Sequence, residues 1–122
     1  MDFLSDSVAE IAARVNGGRQ SAREVTAHAI ERIEALNPSL NAFVAWDGEA
    51  ALAQADAVDQ RIANGENVGP LAGVPIGVKD LEAAAGFTTS FGSALHASDA
   101  PAEQDSVPVS YTHLTLPTTS RV

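Results

Sequence analysis

The chain opens on two segments whose apolar positions recur at helical spacing. Val8, Ile11, Ala12 and Val15 lie three or four residues apart or side by side, an arrangement that places them on one face of a helix. Ser7 precedes them and Glu10 follows three residues later. In that Ser-x-x-Glu spacing each side chain satisfies a free backbone N–H of the other residue. Gly17-Gly18 ends the run, as glycine commonly does. A second box, Ser21 with Glu24, follows at once. Val25, Ala29, Ile30, Ile33 and Leu36 then form an apolar stripe that Asn37-Pro38 is expected to stop. Helices are predicted over 7–16 and 21–37.

Beyond Pro38 the period changes. Leu40–Trp46 alternates imperfectly between apolar and polar positions and predicts a short strand. A third helix is predicted from Gly48 to Asn64 on Leu52, Ala55, Val58 and Ile62, closed by Gly65. Gly69-Pro70-Leu71-Ala72-Gly73 reads as loop. Val74-Pro75-Ile76-Gly77-Val78 is a short apolar run suited to a strand covered on both faces. Pro75 places the start of that strand at a bend or on an edge, because proline cannot donate to a ladder. Helices followed by a buried strand predict an α/β fold. Only its N-terminal portion, helices plus first strands, is expected here. The strand is then expected to lack its sheet neighbours and to leave open edges.

Composition narrows the classes of function. Apolar residues make up 45% of the chain but aromatics only 5%, and much of the remainder is alanine. Residues that bury large areas are therefore scarce. Sixteen acidic against seven basic side chains give a net charge of −9. That balance argues against nucleic acid as a partner, since affinity for phosphate rests on clustered Lys and Arg. The arginines are scattered among acids and read as a solvated face. No apolar run approaches the roughly 20 residues of a membrane helix. No basic segment followed by an apolar stretch opens the chain. With no cysteine, disulfides and thiolate metal sites are ruled out. These features predict a cytoplasmic protein without a membrane partner. His28, His96 and His113 show no metal-ligand spacing, so no metal, no cofactor and no catalytic histidine are expected.

The chemistry gathers at the end of the apolar run. Lys79 is the only lysine in the chain and follows Val78 directly. Strand ends of α/β proteins open to a crevice and are rigid, which suits reactive groups. Burial of a lysine there lowers its pKa and lets the neutral amine accept a proton. Judged by position alone, the commoner case is a lysine that reaches solvent or pairs with Asp80 or Glu82.

The surrounding residues change that weighting. Gly69-Pro-Leu-Ala-Gly-Val-Pro-Ile-Gly-Val-Lys79-Asp80-Leu81, then Gly86-Phe-Thr88-Thr89-Ser-Phe-Gly92-Ser93, closely resembles the amidase signature family. That family shares GPLxGxPxxxKD, then a glycine, then T-T-x-x-GS or T-x-x-GS, and includes stand-alone amidases, fatty acid amide hydrolase and the A subunit of glutamyl-tRNA amidotransferase. Asp105-Ser106-Val107 is similar to the family's acidic-plus-small step before its next helix. Asn37-Pro-Ser-Leu-Asn-Ala-Phe43 fits the way its chains usually begin. The resemblance covers about residues 5–107 and is most specific over 69–93.

The resemblance implies a Ser–Ser–Lys triad. An unprotonated lysine takes a proton from a bridging serine. That serine in turn deprotonates a nucleophilic serine, which attacks an amide carbonyl. Lys79 corresponds to the base. Gly92 and Ser93 correspond to a near-site loop, where glycine permits close backbone approach and the hydroxyl orients neighbours; a plain turn is an equal alternative. The family's two catalytic serines lie in Gly/Ser-rich stretches downstream of the lysine, and no such stretch occurs here. Ser90 and Ser93 stand in the wrong motif for those roles. The expectation is a carbon–nitrogen hydrolase of linear amides, with a small-molecule amide as its substrate, truncated to the part bearing the lysine and inactive alone. A stand-alone amidase is preferred over the amidotransferase component, because Lys79-Asp80-Leu81-Glu82 followed by Gly86-Phe87 resembles general amidases more. A non-catalytic helical interaction domain is the alternative from another class. Neither the particular amide nor the oligomeric state is legible.

The composition shifts again from Val109. VSYTHLTLPTTSRV has no acid, four threonines and the only tyrosine. Residues 109–118 resemble one translated frame of a widely used transposon-type sequencing adaptor read in reverse complement. The division expected is therefore 1–108, an amidase-domain fragment, and 109–122, a non-native tail set aside from fold reasoning.

Overall fold

The computed structural model describes residues 2–110 and, as backbone, residues 118–121. Helices α1 (Val8–Asn16), α2 (Ala22–Leu40) and α3 (Gly48–Ala63) precede strands β1 (Pro75–Val78) and β2 (Thr118–Arg121). His113 lies outside the described residues.

Both capping boxes form. Ser7 N–H donates to Glu10 Oε2 at 2.8 Å while Glu10 N–H returns a bond to Ser7 Oγ at 3.3 Å. Ser21 and Glu24 do the same at 2.9 and 3.0 Å. Helix α1 closes through Gly18 N–H to Val15 O and Arg19 N–H to Arg14 O, and α3 closes through the equivalent pair from Gly65 and Glu66. In each case the two bonds satisfy carbonyls that the last turn leaves open.

Helix α2 departs from expectation. It passes through Pro38 and ends at Leu40, and the predicted strand over 40–46 is absent apart from an isolated bridge at Ala45. Two features explain this. A proline in the last turn costs one backbone bond without having to sustain a longer helix beyond it. Asn41 then takes a left-handed conformation (φ 51°) and donates to Asn37 O at 2.7 Å. The Asn37 side chain meanwhile holds both backbone groups of Phe43, accepting from its N–H at 2.8 Å and donating to its O at 3.0 Å. A side chain thus supplies the pairing a strand neighbour would have made.

The main core joins all three helices to the segment before β1. It comprises Ile11, Ala12 and Val15 of α1, Ala22 and Val25 of α2, Ala55 and Val58 of α3, and Ala72 and Val74. Every member except Ile11 is alanine or valine, so the layers pack closely. At Gly73 φ is +81°, and a β-carbon would stand 2.7 Å from Val15 Cγ1 and 2.9 Å from Ala22 Cβ. Only glycine fits there. Helix α3 also caps α2, for Asp59 accepts from the N–H groups of Ala22 (2.6 Å) and Arg23 (3.0 Å), where the positive end of the helix favours a carboxylate. Thr26 is 1% exposed, and its hydroxyl has no hydrogen-bond partner among the described residues.

Strand β1 is not covered on both faces, contrary to expectation, and among the described residues it has a sheet neighbour on one edge only, so the expected open edge remains on the other side. Pro75 and Ile76 are half-buried, Gly77 is exposed and Val78 is buried. It pairs in parallel with β2, in the register Pro75↔Thr118 to Val78↔Arg121. The open N–H and C=O groups of an apolar strand accept any extended segment in reach, and threonine favours that conformation. Residues 107–110 are helical, and Val109 is buried with Val78 and Ala84 in a second cluster beside Ile76 and Phe87. The tail set aside on sequence therefore contributes both a strand and a buried side chain. Among the described residues no helix is long and apolar enough to cross a membrane.

Candidate functional site

Lys79 occupies the position after the last residue of β1, as the apolar run before it predicts. Its side chain is exposed, so the burial expected to favour a neutral amine is not supplied by the described residues. The physical reason is local. Gly77 and Lys79 both fall on the exposed side of the strand end, whereas the alternate residues Val78 and Asp80 turn inward. Lys79 O accepts from Glu82 N–H at 3.1 Å, turning the chain just past the strand.

Asp80, not Lys79, is the buried ionisable group of this region, at 7% exposure. Its carboxylate accepts the Ser90 N–H at 2.7 Å on one oxygen. The other oxygen receives the Ser90 hydroxyl and, at 3.4 Å, the Gly92 N–H. In the sequence Asp80 stands in the Lys-Asp step of the family pattern and as a possible partner for the lysine, with no sign of its link to Ser90 and Gly92. The signal that was available is the alternation of the strand, which turns residue 80 to the same side as Val78.

The connection from 82 to 106 is tied at several levels. Ser106 donates its hydroxyl to Glu82 at 2.7 Å and its N–H to Ala83 O at 2.8 Å. Asp105 accepts from Ala85 N–H at 2.8 Å. Gly86 and Phe87 pair with Ala102, and Thr88 donates to Asp99 O at 2.7 Å. Asp105 and Ser106 thus fasten the segment that leads into the helical residues 107–110, as the acidic-plus-small step implied.

Gly92 and Ser93 lie in a turn. Gly92 has φ +66° and no atom within 4 Å of a built β-carbon, so glycine serves the backbone conformation there, and close approach is not its reason. The half-buried Ser93 uses its hydroxyl locally, accepting from Leu95 N–H at 3.3 Å. Phe91, between Ser90 and Gly92, also has a positive φ (54°). Its exposed ring stands edge-on to His96, whose Nδ1 lies 2.8 Å from Asp99. His28 packs on Phe3 with ring centroids 4.9 Å apart. Among the described residues no group of three or more His, Cys, Asp or Glu is placed to hold a metal ion. The region thus presents one exposed amine, followed in sequence by a buried carboxylate that pins the 90–92 loop. Both nearby serine hydroxyls are engaged in shaping that loop.

Comparison with known proteins bears on the whole segment. The family model for Amidase matches residues 24–113. The A subunit of glutamyl-tRNA(Gln) amidotransferase from Bdellovibrio bacteriovorus is 52% identical over 93 residues, 76% of this chain and 19% of that protein. A solved structure described as an unexpected vestigial protein complex that reveals the evolutionary origins of an s-triazine catabolic enzyme superposes with a TM-score of 0.88. It is 37% identical and covers 95% of this chain and 25% of its own. A bacterial aryl acylamidase of the amidase signature family superposes at 0.79 with 35% identity, covering 94% of this chain and 25% of its own. The chain thus spans about a fifth of the length of the curated relatives it matches. The family match takes in α2 from its first turn, all of α3, β1, Lys79 and the pinned loop, and by it the chain belongs to the amidase family.

Proposed function

We propose that this chain carries the general base of a Ser–Ser–Lys hydrolase of linear amides, with Lys79 as that base and Gly92–Ser93 as a loop beside it. The observation that carries the reading is the placement of the chain's only lysine directly after β1, within Gly69–Leu81 and one residue before Asp80, which pins the 90–92 loop. A base at a rigid strand end is held where a proton must be taken. No Gly/Ser-rich serine stretch follows Lys79 in this chain, and Lys79 is exposed. Both facts support a polypeptide that hydrolyses nothing by itself. The test uses the uninterrupted gene that continues from codon 107. Its product should release ammonia from a simple linear amide, and Lys79→Ala should lower kcat by roughly a hundred- to ten-thousand-fold. Turnover by 1–122 alone that vanishes in Lys79→Ala would overturn the inactivity. An uninterrupted gene without a downstream Gly/Ser-rich serine motif would favour a non-catalytic interaction domain.

A second reading has its own support. The curated relatives include A subunits of glutamyl-tRNA(Gln) amidotransferase that are 52% and 54% identical to this chain, so the longer protein is either a stand-alone amidase or one component of such an amidotransferase. Ammonia release without partner chains selects the former; release that requires them selects the latter. For residues 109–122 we propose translated adaptor sequence. The underlying nucleotides decide it, because codons other than the adaptor's own would remove the basis of the proposal.

A further inference from the structure

We propose that Asp80 is a positioning residue, whose carboxylate holds the 90–93 loop against the strand end that bears Lys79; this rests on the reading of Lys79 as the base. Burying a carboxylate is costly unless its oxygens are satisfied, and Asp80 is 7% exposed. The Ser90 N–H, the Ser90 hydroxyl and the Gly92 N–H all converge on it. Hydrogen bonds to an ionised acceptor are about twice as strong as neutral ones.

The loop needs such an anchor. Phe91 and Gly92 are consecutive residues at φ 54° and 66°, and a bulky residue in the left-handed region is disfavoured unless its surroundings hold it there. The bonds to Asp80 flank Phe91 on both sides. Ser93 follows immediately, with its own N–H bonded to Ser90 O at 2.9 Å. One carboxylate adjacent to Lys79 therefore sets the path of the loop that carries Gly92 and Ser93. An asparagine keeps the shape but replaces one acceptor oxygen with a donor, so Asp80→Asn separates charge and acceptance from bulk.

The experiment uses the 122-residue chain, nitrogen-15 labelled, and compares wild type with Asp80→Asn by amide exchange. Protection of the Ser90 and Gly92 amides is expected to fall by at least about tenfold, with Val15 and Val25 in the core unchanged. Glu82→Gln, at a nearby carboxylate that accepts from the Ser106 hydroxyl, should leave the Ser90 and Gly92 amides protected. Unchanged protection of those two amides in Asp80→Asn overturns the proposal. Should Asp80→Asn also unprotect Val15 and Val25, Ser90→Ala decides: loss confined to 90–92 supports the anchor, and no loss refutes it. In the uninterrupted enzyme Asp80→Asn should lower kcat, and an unaltered kcat with a released loop would also refute positioning. The exchange arm reads no turnover, so inactivity of the uninterrupted wild type would count against the amidase reading and leave the anchoring of the loop to be judged by exchange.

Discussion

Single residues in this chain do their work through the groups they satisfy or the space they leave. Gly73 does the second. Its positive φ and the 2.7 Å approach to Val15 leave no room for a methyl group. Gly73→Ala is expected to weaken the α1–α2 packing by about 1–3 kcal/mol, read as loss of amide protection at Val15 and Val25. Unchanged protection would show that the turn at 73 can shift freely. Thr26 is the opposite case. Its buried hydroxyl finds no partner among the described residues, so Thr26→Val removes an unmet polar group at nearly constant volume. Protection in α2 should stay the same or rise, and a clear fall would point to a partner for that hydroxyl. Asp59 holds two amides at the start of α2. Asp59→Ala should cost about 1–3 kcal/mol by leaving them unpaired, seen as faster exchange at Ala22 and Arg23.

At the scale of elements, α1 depends on ionised carboxylates. Glu10 is held below the ordinary glutamate value, chiefly by the Ser7 N–H and then by the Ser7 hydroxyl. Asp6 is lowered as well, first by the Asp2 N–H and then by Arg14. A group whose folded pKa is depressed adds stability above its unfolded pKa and loses it as pH falls through the folded value. Helical circular dichroism should therefore decline as pH drops below the ordinary carboxylate range, and Glu10→Gln should flatten part of that decline. An identical acid profile for Glu10→Gln would mean that the box does not govern α1. The starts of α1 and α2 were legible because capping is written in residues three apart. The end of α2 was not, because Asn37 and Asn41 override Pro38 through contacts that only the folded turn provides.

For the whole molecule, the composition of the core sets the expectation. Its members are almost all alanine and valine, which bury little area each, while Leu36, Leu40, Val44 and Trp46 remain exposed around the end of α2. A segment of residues 1–108 should therefore keep α1 and α2 in part and melt without a cooperative transition; a sharp calorimetric transition would contradict this. Removing 109–122 also removes the parallel partner of β1 and the buried Val109, so exchange at Ile76 and Val78 should be faster in 1–108 than in 1–122.

By itself the sequence determined the three helices, a short strand within residues 74–78, the family and the lysine that follows that strand. Each of these is encoded in residues near one another along the chain, where spacing alone fixes which groups share a face or a cap. Tertiary structure decided the rest. It exposed Lys79 and buried Asp80, because strand alternation becomes inside and outside only once packing chooses a face. It made Gly92 and Ser93 parts of a turn anchored by a residue ten to twelve positions earlier. It also paired β1 with the threonine-rich tail, because open backbone groups bond to whatever strand the fold brings alongside.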